Sequence, residues 1–321
     1  MSVLEFEKPI FELETKIQEL KTFGTDQNIA INPEIKVLTE KLNKLREEIY
    51  GKLGIWQRVQ IARHPDRPYT LDYIHMIMTD FVEVHGDREF ADDSAIVGGF
   101  AKLGNYKVMV IGHQKGKDTK ENIMRNFGCA HPEGYRKAMR LMEMADKFHL
   151  PIIIFIDTPG AYPGIGAEER GQAQAIASNL KDMSRVKTPI VATVIGEGGS
   201  GGALGIGVAN KVCILEHAYY SVISPEGCAS ILWRNAVKAP EAAEALKITG
   251  ENLIKHGIVD DIIPEPLGGA HKDPVSCAES LKNALLKHVN ELSFLSAEEV
   301  LDHRYNRFRK MGVFSSGGNP T

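Results

Sequence analysis

The 321-residue sequence predicts an α/β fold preceded by a helical hairpin, and three observations carry that prediction. Between residues 151 and 216, short apolar runs without polar alternation are separated by segments of helical period, as expected for strands covered on both faces. Glycine-rich stretches fall directly after two of those runs. The first 55 residues instead carry heptad spacing.

Taken in order, Ile10, Leu13, Ile17 and Leu20 form one apolar stripe, which Phe23-Gly24-Thr25-Asp26 should end. Ile35, Leu38, Leu42, Leu45 and Ile49 then recur at 3, 4, 3, 4. Residues 1–55 are therefore assigned to a helical hairpin, either a partner-binding arm or an extension packed on its own domain, and residues 56–321 to the main domain. Arg63 to Tyr69 (Arg-His-Pro-Asp-Arg-Pro-Tyr) is a proline-punctuated connector. Ile96 to Leu103 and Tyr106 to Gly112 make a β-hairpin about Gly104-Asn105. Helix 134–149 buries Ala138, Leu141, Met142, Ala145 and Phe148. Strand 151–156 leads into the turn Asp157-Thr158-Pro159-Gly160-Ala161-Tyr162-Pro163-Gly164 and a helix to about Ser184. Strand 189–195, the glycines 196–202, a small-residue helix from Ala203 to Ala209 and strand 211–216 complete a βαβαβ run. Beyond Ser224 the chain is mainly helical and ends in a basic segment with Arg304, Arg307, Arg309 and Lys310.

Composition narrows the function. With 43% hydrophobic and 25% charged residues and a net charge of −4, nothing pulls the chain toward nucleic acid or an anionic membrane. No run approaches the length of a membrane span, and Met1 to Glu7 lacks the regions of a signal peptide, so a cytoplasmic location is expected. Cys129, Cys213, Cys228 and Cys277 include no Cys-x-x-Cys pair and are expected to be free thiols. His113 and His131 lack metal-ligand spacing, so no metal is assigned.

A βαβαβ sheet binds ligands at the C-terminal ends of its strands, where both glycine turns fall. Glycine turns that open a helix present backbone N–H groups to a negative oxygen. The oxygen has four possible owners. Gly196-Glu197-Gly198-Gly199-Ser200-Gly201 matches G-x-G-x-x-G, with Glu216 available for a ribose, as in an NAD-dependent oxidoreductase; the short helix and the further glycines, Gly205 and Gly207, count against it. Asp157-Thr158-Pro159-Gly160 resembles a GTPase motif but no phosphate loop accompanies it. Ser200 sits among glycines as a hydrolase nucleophile does, without a recognisable base. The remaining possibility is a backbone oxyanion hole, where one donor is worth roughly 2.7–4 kcal/mol in a transition state. The loop by itself does not name the reaction.

Longer motifs do. The turn Asp157 to Gly164, Ala167-Glu168-Glu169-Arg170-Gly171-Gln172, Gly196 to Gly202 and Tyr220-Ser221-Val222-Ile223-Ser224-Pro225-Glu226-Gly227 resemble the bacterial acetyl-CoA carboxylase carboxyltransferase alpha subunits, as do Ile111-Gly112-His113-Gln114-Lys115-Gly116 and Glu265-Pro266-Leu267-Gly268-Gly269. The resemblance implies a crotonase-like fold of repeated ββα units. It implies transfer of a carboxyl group from carboxybiotin, carried on a separate biotin carboxyl carrier protein and charged by a biotin carboxylase, to acetyl-CoA, giving malonyl-CoA for fatty acid synthesis. It also implies a zinc-ribbon beta subunit as partner, usually as α2β2. In that pattern the amides of Gly201 and Gly202 hold the ureido oxygen of carboxybiotin. Holding it favours release of CO2, and no side-chain acid or base is obligatory. Gly198 and Gly199 are expected to shape the loop, with Gly160 in a supporting place on the first turn. Tyr162 either lines the biotin pocket or is a packing aromatic. Lys115 and Lys117, in a basic concentration with Lys120, Arg125, Arg136 and Lys137, either steer CoA phosphates or the acidic carrier domain, or form a solvated face.

Overall fold

The computed structural model describes residues 3–27 and 32–312. Helices α1 (Lys8–Gln27) and α2 (Asn32–Tyr50) pack on each other around Ile10, Ile17, Leu42 and Tyr50, with Leu13, Ile35, Leu38, Leu45 and Ile49 partly buried beside them. These are the two stripes read from the sequence. The break expected at Phe23-Gly24-Thr25-Asp26 is absent, because α1 continues through it; one glycine costs a helix only about 1 kcal/mol. The hairpin is tied to the body through Glu7, whose buried carboxylate accepts from Tyr50 Oη at 2.6 Å and pairs with Lys272 at 3.4 Å.

Helices α3 (Ile55–Ala62) and α4 (Thr70–Ile77) flank the proline connector. Among the described residues, the strands are β1 (Thr79–Glu83), β2 (Ile96–Leu103), β3 (Tyr106–His113), β4 (Ile152–Thr158), β5 (Ile190–Gly199), β6 (Lys211–Leu215), β7 (Tyr219–Ser221) and β8 (Asp261–Ile263). They form one sheet in the order β1-β2-β3-β4-β5-β6-β8. The β1–β2 and β2–β3 pairs are antiparallel and the rest parallel, while β7 pairs with the end of β5. The predicted hairpin turns at Gly104-Asn105, and all seven residues of β4 and all ten of β5 are buried, so the missing polar alternation meant what it predicted.

After a short α5 (Thr119–Met124), α6 (Pro132–Lys147) carries the chain from β3 to β4 and starts two residues before the predicted 134, with Pro132 in its first turn. The segment after β4 is two helices, α7 (Ile165–Glu169) and α8 (Gln172–Met183), broken at Gly171 with φ of 80°. The predicted helix 203–209 is instead α9 (Ser200–Leu204). It stops where the Tyr135 ring occupies the space a Cβ on Gly205 would take, 2.7 Å away, and where Asn179 Nδ2 donates to the Gly205 carbonyl at 2.9 Å. Helices α10 (Pro225–Trp233), α11 (Ala239–Leu246), α12 (Gly250–Lys255), α13 (Pro274–Ser293) and α14 (Ala297–Arg309) complete the body. The C-terminal basic segment is not a uniform surface patch. Arg304 is buried and donates to the carbonyls of Met183, Val186 and Thr188 and to Asn210 Oδ1, pinning α14, and Arg307 pairs with Asp260 at 2.8 Å.

Candidate active site

Both glycine turns lie at the C-terminal ends of neighbouring strands, β4 and β5, and they touch. A Cβ added to Gly202 would stand 2.4 Å from the Gly160 carbonyl carbon and 2.5 Å from Ala161 N, and one on Gly199 would stand 2.2 Å from the Pro159 carbonyl oxygen. Only glycine lets the two backbones approach so closely. Gly198 packs on β7, where a Cβ would meet the Tyr220 ring at 2.8 Å. Gly201 differs: a Cβ there would make ordinary contact with Ile176 at 3.8 Å. At Gly160 it would meet nothing within 4 Å.

The second turn is aimed by an irregularity in the sheet. Between the pairs Ile156↔Val194 and Thr158↔Gly198, β4 advances two residues while β5 advances four. Such a bulge bends the strand and redirects the chain beyond it. Residues 195–197 of the bulge have no partner on β4, although Glu197 pairs with Tyr219 of β7, and they find other contacts on that side. The Ile195 carbonyl accepts from Arg67 Nη2 at 2.8 Å, and Glu197 N donates to Asp157 Oδ1 at 2.9 Å. The chain then enters α9 through Ser200, an exposed non-glycine residue with φ of 52°. Gly201 and Gly202 lie in the first turn of α9, where N–H groups have no acceptor within their own helix.

A buried ion network stands behind the bulge. Glu197 accepts from Arg63 Nε (2.8 Å), Tyr219 Oη (2.7 Å) and Lys115 Nζ (2.8 Å), and Lys115 Nζ also donates to Asp157 Oδ1 at 2.7 Å. Arg63 reaches Glu226 at the start of α10 as well. Burial pushes the Glu197 carboxyl up, but Lys115 and Arg63 outweigh it and bring it down to about 2. Burial likewise pulls the Lys115 ammonium down, and Asp157 with Glu197 reverses that and raises it above the usual lysine range. His113, fully buried at the end of β3, lies beside the main chain of Gly202; burial, then the charge of Lys115, lower it to about 3.

Next to Ser200 and Gly201 opens a cavity of about 790 Å³, walled by Leu204, Tyr220, Val222, Leu253, Ile258 and Phe308, with Lys255, Arg307 and Lys310 among its lining cations. Gly160, Gly199 and Gly202 are thus brought together where the two turns touch, with Gly198 on their flank, and Gly201 beside them lines the cavity. Tyr162 is placed elsewhere: its ring stacks on His131 with centroids 4.0 Å apart. The basic concentration is mostly paired within the chain rather than forming a solvated face. Lys115 is committed to two carboxylates, and Lys117 pairs with Asp72 at 2.6 Å and lies over the Tyr69 ring. Arg136 pairs with Asp87, and buried Lys137 with Asp92. Sequence reasoning missed Arg63, Lys115, Asp157 and Glu197 as a unit, and Arg67 on the Ile195 carbonyl beside it; the signal was a lone acid inside a glycine run and two arginines in a connector. No histidine hydrogen-bonds the Ser200 hydroxyl among the described residues, where no group of three metal-ligating side chains occurs either. Gly196, Gly198 and Gly199 belong to β5 itself, whereas a dinucleotide fingerprint needs them in the turn.

Comparison with known proteins is consistent across sequence and structure. The family model described as acetyl co-enzyme A carboxylase carboxyltransferase-like matches residues 3–312. The chain is 58% identical over 312 residues to the acetyl-coenzyme A carboxylase carboxyl transferase subunit alpha of Geobacter metallireducens, covering 97% of this chain and 98% of the relative. It is 60% identical over 310 residues to that of Pseudomonas paraeruginosa, with coverage of 97% and 98%. The Thermus thermophilus subunit is 58% identical over 312 residues, with coverage of 97% and 99%. Among solved structures, transcarboxylase 12S superposes with a TM-score of 0.56 at 22% identity over 81% of this chain, which spans 46% of that one. A Pseudomonas malonate decarboxylase hetero-tetramer in complex with coenzyme A gives 0.56 at 16% identity, with coverage of 68% and 88%. The fold is the crotonase-like one that the sequence motifs implied.

Proposed function

The chain belongs to the acetyl-CoA carboxylase carboxyltransferase alpha-subunit family, and we propose that its Gly201–Gly202 turn is the backbone oxyanion hole of the transfer reaction. As the alpha subunit it is a transferase, serving the carboxylation of acetyl-CoA to malonyl-CoA. The oxidoreductase reading is set aside. Carboxybiotin, when bound, supplies the carboxyl group; we take it to arrive on a separate carrier protein.

The site suits such a group. The cavity beside Gly201 has apolar walls for a fused ring and its aliphatic arm, and the turn at its edge offers neutral donors instead of a fixed cation. Gly201 and Gly202 would hold the ureido oxygen, each amide contributing roughly 2.7–4 kcal/mol as charge develops there. Gly199 and Gly202 let the two turns close on each other, and Gly198 seats the end of β5 on β7. Ser200 enters α9 and takes no part as nucleophile. The observation that carries this reading is the close backbone contact of Gly202 with Gly160, which a side chain at 202 would forbid and which fixes the turn beside a cavity.

We assign the CoA thioester chiefly to a zinc-ribbon beta subunit in an α2β2 assembly, working with a biotin carboxyl carrier protein and biotin carboxylase in the cytoplasm. Among the described residues no helix is long and apolar enough to cross a membrane. Mixing purified alpha and beta chains with malonyl-CoA and biocytin should generate acetyl-CoA, and alpha alone should not. Acetyl-CoA production by neither mixture, with both chains folded and associated, would count against the reading.

A further inference from the structure

We propose that Lys115 is a positioning residue for carboxyl transfer: its ammonium locks the β5 bulge that aims the Gly201–Gly202 amides. The proposal rests on the oxyanion-hole reading above. Lys115 follows β3, Asp157 ends β4 and Glu197 lies in the β5 bulge, so one ammonium ties together the ends of three consecutive strands. The two carboxylate oxygens it holds, Asp157 Oδ1 and Glu197 Oε2, lie 2.7 and 2.8 Å from the same nitrogen. Arg63 is bonded to the other oxygen of Glu197 and does not stand between the two acids. Asp157 Oδ1 in turn accepts the Glu197 amide, replacing the ladder bond that the bulge removes.

The ammonium is not placed to meet a solvent-borne phosphate. The Lys115 side chain is 11% exposed, and its stem lies over Gly128, where a Cβ would be 2.9 Å from Lys115 Cγ. Without the ammonium, two like charges share one buried site. Their repulsion is relieved most directly by moving Glu197, and Glu197 is three residues before Ser200. Residues 198–202 move with it, although Gly199 and Gly202 are seated against Pro159 and Gly160. Lys115 therefore acts on the reaction through the turn rather than on the substrate.

The test is Lys115→Met in the assembled alpha–beta complex, assayed with malonyl-CoA and biocytin beside Gly202→Val. A shift of the turn by about 1 Å lowers kcat on the order of 100-fold. KM for malonyl-CoA should be unchanged. Adding Asp157→Asn should recover much of the lost kcat, because the asparagine oxygen still accepts the Glu197 amide and the like charge is gone. Wild-type kcat in Lys115→Met beside an inactive Gly202→Val overturns the role of Lys115 alone. Full turnover by Gly202→Val overturns the oxyanion reading and this proposal with it. A raised KM with retained kcat assigns Lys115 to CoA phosphates and overturns the proposal as well. If Lys115→Met does not assemble, the milder Lys115→Gln decides: lowered kcat at unchanged KM, recovered by Asp157→Asn, supports it, and wild-type kcat or a raised KM refutes it.

Discussion

Gly201 and Gly202 are alike in sequence but not in structure, and exchanging each for alanine separates packing from chemistry. A Cβ on Gly202 would stand 2.4 Å from Gly160 C, whereas ordinary contact begins at 3.4 Å, so the two turns must part by 1.0 Å. All three obstructing atoms, Gly160 C and Cα and Ala161 N, are backbone, which cannot rotate away as a side chain can. Misplacement on that scale costs about 100-fold in rate, or about 2.7 kcal/mol of barrier. Overpacking should also destabilise the fold by about 1–3 kcal/mol. In Gly201→Ala the new carbon faces Ile176 Cδ1 at 3.8 Å, no atom must move, and the backbone amide stays. Turnover there should remain within a few-fold of wild type. The assay is acetyl-CoA release from malonyl-CoA and biocytin by the alpha–beta complex, with assembly checked by gel filtration. Equal losses in both variants, or wild-type turnover by Gly202→Ala, would refute the reasoning.

Residues near the turns offer further tests. Ser200→Gly should leave turnover within a few-fold and not lower the thermal midpoint, since glycine accepts the φ of 52° freely; loss of activity would revive a role for the hydroxyl. Arg67 is fully buried, with its guanidinium 2.7 and 2.9 Å from the two Glu265 oxygens; Arg67→Met strands that acid and should cost about 3–5 kcal/mol in denaturant unfolding, partly restored by Glu265→Gln. An unchanged midpoint would contradict it. His113 and His271 are each lowered from 6.5 to about 3, first by burial and then by the charges of Lys115 and His64 respectively. Because the folded chain holds them neutral, their contribution is complete above pH 6.5 and is lost as pH falls toward 3. Glu197 and Glu265, lowered from 4.5 to about 2 because nearby Lys115 and Arg67 outweigh the opposing effect of burial, add a loss only below 4.5. Denaturant midpoints should thus already decline between pH 6.5 and 4.5, less steeply in His271→Gln; a flat profile over that window would contradict the assignment.

Much of this was legible in the sequence because periodicity and glycine placement report backbone demands directly. The stripes Ile10–Ile17 and Ile35–Ile49 gave the hairpin, and the apolar runs gave β4 and β5 with their turns at the ligand end of the sheet. The features that stayed hidden depend on contacts between distant segments. Nothing local shows that Lys115 meets Asp157 and Glu197, so a lysine in a basic stretch looked like a surface charge. The burial of Arg304 stayed hidden for the same reason, since carbonyls that accept from it come from 183–188. The helix after Ser200 was overestimated because its end is set by the Tyr135 ring and Asn179, which belong to α6 and α8. Tyr162 sits on a functional turn but faces His131, and no spacing rule reveals which way a turn residue points.

The central claim concerns two amides and one oxygen, and a crystal structure of the alpha–beta complex with biocytin tests it most directly. The ureido oxygen should lie about 2.7–3.1 Å from the amide nitrogens of Gly201 and Gly202, with the aliphatic arm along Leu204, Tyr220 and Phe308. A ureido ring bound away from that turn, with both amides engaged by other protein atoms, would contradict the account.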